Sequence, residues 1–403
     1  VKIYSDPFVQ YATIINSFAS SADFYTSSLF FNLKDQFVYV KSDVGIIGRF
    51  RLLADDIEGE SFMVDSKKFL NLALNYSELE LNDSIFSYGE ETFQLNVIKG
   101  EDLIPNSLFM NDNFDKSLII DQQLDRIIGN AKYYLDKDSV QKATQTIFIY
   151  DGSIFSTSDN QVYEYTLEGL NHNLNIDISW VPFLEEGCTI HYKEDDNTLL
   201  KVTDGETLEI VIPTFDNVTP PPIHSSSFVD AYNHDTYFAF RTEEFKEVMA
   251  FFAPYLQDIM NSKVKMTVNG EKLIIETFEK DLIKRVVNIK SNIEEEISFI
   301  VNMKKFDPIK NKMIVGYPEY YFSDRAGNWT NLSKEDANKS LVDETRVHKQ
   351  LLKEGKAENS QFPQVKEYHF VTVYVSPDAQ IMPIRLMGEN ENEKFIIAKI
   401  REK

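Results

Sequence analysis

Cysteine is almost missing from this chain: Cys188 is the only one in 403 residues. That excludes disulfides within the chain and any zinc site built from several thiolates. Glycine and proline are scarce, at 15 and 13 residues. Neither a glycine-rich phosphate loop nor a Gly-x-Ser-x-Gly elbow is found. The six histidines are scattered, and only HSSSFVDAYNHD (224–235) brings two of them near aspartates. That stretch lacks the helical or strand-alternate spacing a metal needs. No metal, cofactor or catalytic centre is expected, and the chain reads as a non-enzyme. No apolar run reaches the roughly 18–20 residues of a membrane span. The opening VKIYSDPFVQ has neither the basic start nor the apolar middle of a secretory leader. A cytoplasmic location away from membranes is expected. Cations are in deficit too: 41 Lys and Arg against 64 Asp and Glu leave a formal net charge of −23. Spread evenly, that charge would repel nucleic acid.

Aromatic residues are abundant, with 30 Phe and 20 Tyr, which suits sheet-rich domains with defined cores. The chain also repeats itself. TIFIYDGSIFSTSDNQVYEY (146–165) reads as strand, Asp-Gly turn, strand. SLFFNLKDQFVYVKSD, from Ser28, and KVKMTVNGEKLIIETF, from Lys263, have the same form. Their centres, Phe30, Phe148 and Met266, stand 118 residues apart at each step, a period of whole domains rather than of a solenoid. The expected domains are 1–112, 113–222 and 223–403, with TPPPIHSSS (219–227) as a linker.

Each third divides into two units of a short helix followed by alternating strands. Asp65 or Ser66 can cap a helix that turns Phe69, Leu70 and Leu74 inward. DQQLDRIIGNAKYYL carries Leu124, Ile127, Ile128, Ala131 and Leu135 in one stripe. SWVPFLEEG is a weaker helix, and Pro254 and Pro308 should end or interrupt two others. Residues 325–367 form a polar insertion in which Ser333 and Asp336 can box the start of a helix. Residues 388–403 extend the chain beyond the strand QIMPIRLM. Helices to one side of antiparallel sheets make the fold class α+β.

The sign of charge is segregated. The helices carry Lys67 and Lys68 in the first third, and Arg126, Lys132, Lys137 and Lys142 in or just after the helix of the second. In the last third they carry Lys246, Lys304, Lys305, Lys310 and Lys312. The acids gather in turns and strands such as LEEG, KEDD, IEEE and GENENE. Such a set binds phosphate without reading base sequence.

Three short stretches carry a resemblance to the DNA polymerase sliding clamps of the bacterial β type. IPTFDNVTP (212–220) resembles the segment before that family's last domain. IMPIRL (381–386) is similar to its terminal strand, and FSTSDNQVY (155–163) to a stretch in its second domain. The resemblance implies a homodimeric ring of three clamp-type domains per chain around double-stranded DNA, with a DNA polymerase and a clamp loader as further partners. It also implies a cleft between the second and third domains for partner peptides. Thr157, Gln161, Val162, Pro213, Val218, Met382, Pro383, Ile384, Arg385 and Leu386 would line it. Asp159, Asn160 and Gln161 replace the family's Gly-His-Arg, so a cation at the rim is lost. The tail EKFIIAKIREK raises an alternative, in which it forms the last strand and IMPIRL moves inward by one. We take IMPIRL as last, because PEYYFSD then falls at its expected place. The divergence, insertion and tail suit a clamp of phage origin acting in a host cytoplasm. The competing reading is a β-rich structural or receptor-binding protein of a virion with no DNA role. The helical lysines and the order of the three stretches favour the clamp.

Overall fold

A computed structural model describes residues 1–5, 8–17, 27–55, 59–100, 114–158, 161–194, 199–213, 218–223, 234–256, 262–277, 283–311, 313–357, 360–376 and 384–398. The first third opens with β1 (Lys2–Tyr4), α1 (Phe8–Asn16), β2 (Ser28–Asn32), β3 (Phe37–Lys41) and β4 (Ile47–Arg51). It repeats that plan with β5 (Ala54–Asp55), β6 (Phe62–Asp65), α2 (Ser66–Ala73), β7 (Glu78–Asn82), β8 (Ile85–Tyr88), β9 (Glu91–Gln94) and β10 (Val97–Lys99). The second third begins β11 (Lys116–Ile119), α3 (Gln122–Tyr133), β12 (Thr146–Tyr150), β13 (Ser153–Ser158) and β14 (Gln161–Thr166). It continues β15 (Leu174–Asp177), a 3-10 turn at Val181–Phe183, β16 (Thr189–Tyr192), β17 (Leu199–Thr203) and β18 (Leu208–Pro213). The last third starts β19 (Tyr237–Arg241), α4 (Thr242–Phe252), β20 (Lys263–Asn269), β21 (Lys272–Thr277) and β22 (Lys284–Asn288). Then come β23 (Lys290–Ser291), β24 (Ile297–Asn302), α5 (Asp307–Lys310), β25 (Tyr317–Ser323), β26 (Trp329–Leu332) and α6 (Lys334–Lys353). Three strands close the chain: β27 (Gln364–Tyr374), β28 (Ile384–Met387) and β29 (Glu393–Ile397).

The helices start where local chemistry dictates. Asp65 caps α2 by accepting the Lys68 amide at 2.8 Å, and Asp121 caps α3 through the Leu124 amide at 2.7 Å. Ser333 and Asp336 form the expected box, with Ser333 Oγ accepting the Asp336 amide and donating to its carboxylate. Leu124, Ile127, Ile128 and Ala131 are buried as the stripe predicts. Leu74 is not: it follows the last turn of α2 and is exposed. SWVPFLEEG yields only the one 3-10 turn, with Pro182 in its first turn, where the ring opposes extension toward Ser179.

Internal contacts gather the chain into two compact units, Val1–Ile154 with Glu168–Pro220, and Phe155–Leu167 with Pro221–Lys403. In the first unit a nine-stranded sheet runs β10-β6-β2-β3-β4-β18-β17-β16-β11, beside a five-stranded sheet β5-β1-β7-β8-β9. The helices α1 and α2 pack side by side on the larger sheet. Phenylalanine fills the space beneath them: Phe31 stacks on Phe62 at 4.7 Å, and Phe69 meets Phe86 edge-on at 5.4 Å. Each ring is fully buried and contributes about 2–3 kcal/mol by burial alone. A turn with positive φ at both Asp151 and Gly152 follows β12, the backbone that an Asp-Gly pair accepts most readily.

In the second unit the strands run β13-β14-β29-β28-β27-β19-β23, and β25 and β26 join at the far half of β27. A separate sheet, β22-β21-β20-β24, lies in the same unit, and α4 packs on β19 and β27 of the larger sheet, on β22, and against α5. The insertion is thus a β-hairpin covered by α6, and it begins with β25 rather than after it. PEYYFSD belongs to this added hairpin.

Candidate nucleic-acid interface and partner site

Lys67 and Lys68 stand exposed in the first turn of α2, on the side away from buried Phe69 and Leu70. Arg126 and Lys132 are exposed on α3, with Lys137 and Lys142 exposed just beyond it. In the second unit, Lys246 is half-buried on α4, and Lys304 and Lys310 are exposed around α5. Burial pushes the Asp307 carboxyl up, against the pull of nearby Lys310 and Lys304. Lys305 is engaged differently. Its ammonium donates to Gln161 Oε1 at 2.9 Å, while its carbonyl accepts the Gln161 amide at 3.5 Å. A cation assigned to DNA and a glutamine assigned to the partner cleft are therefore bound to each other. Lys312, Met382 and Pro383 lie outside the described residues.

Among the cleft residues, Thr157, Val162, Pro213 and Val218 are half-buried, and Asn175 donates to the Val218 carbonyl at 2.8 Å. Ile384 and Leu386 are fully buried in β28. Arg385 points to the opposite face, its guanidinium 4.3 Å from the Tyr374 ring centre.

The strand order decides the register of the chain end, against our preference. IMPIRL is not the last strand. β28 lies between β27 and β29, and β29 is the one that pairs with β14, setting Glu164 opposite Lys394 and Gln161 opposite Ile397. The same order occurs in the first unit, where β11-β16-β17-β18 leads to β4. β19-β27-β28-β29 leads to β14 in the same way, so β29 corresponds to β18 and β28 to β17. Both IMPIRL and EKFII are short and mostly apolar, and neither pattern says which one reaches β14.

The seam between β14 and β29 contains side chains that the sequence did not single out. Tyr163 donates to Glu393 Oε1 at 2.8 Å in a buried setting, and Lys394 reaches Glu164 at 3.5 Å. Their signal was the run QVYEYT, in which a carboxylate interrupts alternating aromatic residues. The equivalent seam between β4 and β18 sets Arg49 against Glu209, and Lys201 lies 3.6 Å from the same carboxylate.

By sequence, no protein-family model and no curated protein matches this chain. Solved structures do. A sliding clamp (DNA polymerase III subunit beta) of Pseudomonas aeruginosa bound to griselimycin superposes with a TM-score of 0.70 at 11% identity, covering 100% of this chain and 99% of that one. The Helicobacter pylori beta clamp bound to a DNA ligase peptide gives 0.68 at 13%, with 99% of each chain covered. A Caulobacter crescentus beta sliding clamp gives 0.69 at 9%, covering 100% and 99%. Among the described residues no helix is long and apolar enough to cross a membrane. The full-length superposition, the α+β composition and the repeated order of strands lead to one statement of kinship: this chain has the fold of the bacterial β sliding clamps.

Proposed function

We propose that the chain is a DNA sliding clamp, a processivity factor that closes as a head-to-tail pair around duplex DNA and tethers a polymerase. The observation that carries this reading is the strand bookkeeping. Two meanders, β2-β3-β4 and β12-β13-β14, each end against the last strand of a later half-domain. A third, β20-β21-β22, ends in an edge with no partner among the described strands. A matching half-domain, β1-β7-β8-β9, ends in the edge β9, which likewise has no second partner among the described strands. Unpaired edges are templates for strand addition, and two copies satisfy both by setting β22 of each against β9 of the other. Twofold closure of that kind makes a ring rather than a filament. Charge supports it, because Lys284 and Arg285 lie on β22 while Glu90 and Glu91 lie at β9.

In this reading the helices face the DNA, and the exposed Lys67, Lys68, Arg126, Lys132, Lys137, Lys142, Lys304 and Lys310 hold phosphates loosely. Topology supplies the residence time, so a chain of net charge −23 can serve DNA, and no bond is made or broken. Partner peptides of the polymerase or of a loader dock beside β29 rather than along β28, whose Ile384 and Leu386 are buried. The Helicobacter pylori clamp in complex with a ligase peptide supports a peptide site of this class.

Cysteines placed at Thr92 and Val286 test the ring, since Cys188, the only native one, is buried. After cross-linking on nicked circular DNA, the protein should stay with the circle in high salt and leave once the circle is cut. Equal loss before and after cutting would overturn the proposal.

A further inference from the structure

We infer that the outer face of the sheet built from β19, β25, β27 and β28 is a platform for single-stranded nucleic acid, separate from any duplex in a ring. Side chains alternate along these strands. On one side Phe240, Val371, Val373, Ile384 and Leu386 are buried. On the other, the rings of Tyr321, Tyr368, Tyr374 and Trp329 stand half-exposed or exposed among cations, while Phe370 beneath them is buried. The Arg241 guanidinium lies 4.1 Å from the Tyr368 ring centre, and the Arg385 guanidinium 4.3 Å from that of Tyr374. The Lys290 ammonium lies 4.5 Å from Phe370, and the Lys366 ammonium 4.8 Å from Trp329, which is 44% exposed. Tyr321 meets Tyr368 edge-on at 5.5 Å.

Two acids meet these cations: Glu244 lies 3.8 Å from the Arg241 guanidinium, and Glu319 sits on the face itself. Glu319 pairs with Lys290 and accepts bonds from the Tyr321 hydroxyl at 2.9 Å and from Asn331 at 3.2 Å. Four cations against two carboxylates still leave a net positive patch in an otherwise acidic chain.

Rings set among cations on an open sheet are what an unpaired strand requires: π-faces for splayed bases and point charges for the phosphates between them. Every second residue of β27 advances the platform by about 6.8 Å, a stride that an extended strand can follow. A duplex offers no exposed base faces to such rings. An acidic peptide would satisfy the cations and leave the rings unused.

The test is fluorescence anisotropy of a labelled oligothymidylate of about 15 nucleotides with the full chain. Binding should favour the single strand over a duplex of equal length. With a net charge of two on the face, the slope of log affinity against log salt should be about −1.4. Trp329→Ala and Tyr368→Ala should each weaken binding about tenfold, while Trp329→Phe, which keeps a ring, should largely preserve it. Lys366→Ala should flatten the slope by about 0.7. No binding, equal binding by the alanine variants, or an equally tight polyglutamate of the same length would each overturn the inference. Retention on circular DNA is a separate readout: its loss with oligothymidylate binding intact would defeat the ring alone.

Discussion

The β4–β18 and β14–β29 seams repeat one design with the charges exchanged. In the first, the meander strand carries the cation, Arg49, and the closing strand the anion, Glu209. In the second, the meander strand carries the anion, Glu164, and the closing strand the cation, Lys394. A chain with several similar edges risks joining the wrong ones. Were β4 to take β29, Arg49 would face Lys394; were β14 to take β18, Glu164 would face Glu209. Like charges directly opposite on a sheet are destabilising, so the exchange disfavours both errors while leaving the correct pairings intact. The seams differ in strength as well. Arg49 both pairs with Glu209 and lies 4.8 Å over the Phe37 ring, whereas Lys394 makes one longer contact with a nearly buried carboxylate.

The largest effect should come from the closing strand itself. Phe395 is buried and lies 5.3 Å from the Tyr163 ring, so Phe395→Ala should cost about 4 kcal/mol in chemical denaturation. Were the chain end a dispensable tail, the change would be nearly silent. Next, Arg49→Met should cost about 3 kcal/mol, because it leaves Glu209 with only the more distant Lys201. Exchanging both partners, Arg49→Glu with Glu209→Arg, should recover most of the loss that Arg49→Glu alone causes. Lys394→Met should cost less, about 2 kcal/mol, because its contact with buried Glu164 is single and longer, and parity with Arg49→Met would erase the difference between the seams.

The smallest effect concerns the turn that leads into β18. Asp204 accepts the amides of Glu206, Thr207 and Leu208 at 2.8–2.9 Å. Burial alone would raise its pKa, but the bonds from the Thr207 hydroxyl and these amides outweigh it and hold the carboxyl below its ordinary 3.8. A carboxylate with a depressed folded value stabilises the fold above its unfolded value and loses that contribution as pH falls through the folded one. Asp204→Asn should therefore lower Tm at pH 7, by about 1 kcal/mol in stability. The gap should shrink once pH falls well below 3.8. A gap independent of pH would mean the charge plays no part.

Local chemistry was legible in the sequence; long-range pairing was not. The Ser333–Asp336 pair and the stripe of α3 depend on residues within a turn or two of each other, and both formed, save that Leu135 lies beyond the end of α3 and is only half-buried. The threefold spacing of the hairpins and the α+β class were likewise visible, because periodicity is a local property repeated. Leu74 failed because the helix ended one residue before it. The register of the last strands failed for a deeper reason. IMPIRL and EKFII are equally good strands, and only the partner, β14, distinguishes them. The same holds for the candidate site, where Ile384 and Leu386 were placed by resemblance and then buried by that register. Lys305, read as one cation among eleven, turned out to hold Gln161. The aromatic face of the second unit was hidden because its rings come from β25, β26, β27 and neighbouring strands far apart in the chain.

Electron microscopy of the purified protein, together with its mass in solution, tests the central claim most directly. The account predicts a two-chain particle, twice the 46.6 kDa of one chain, closed around a central hole. A single-chain particle, or a pair that stays open with β9 and β22 apart, would contradict it.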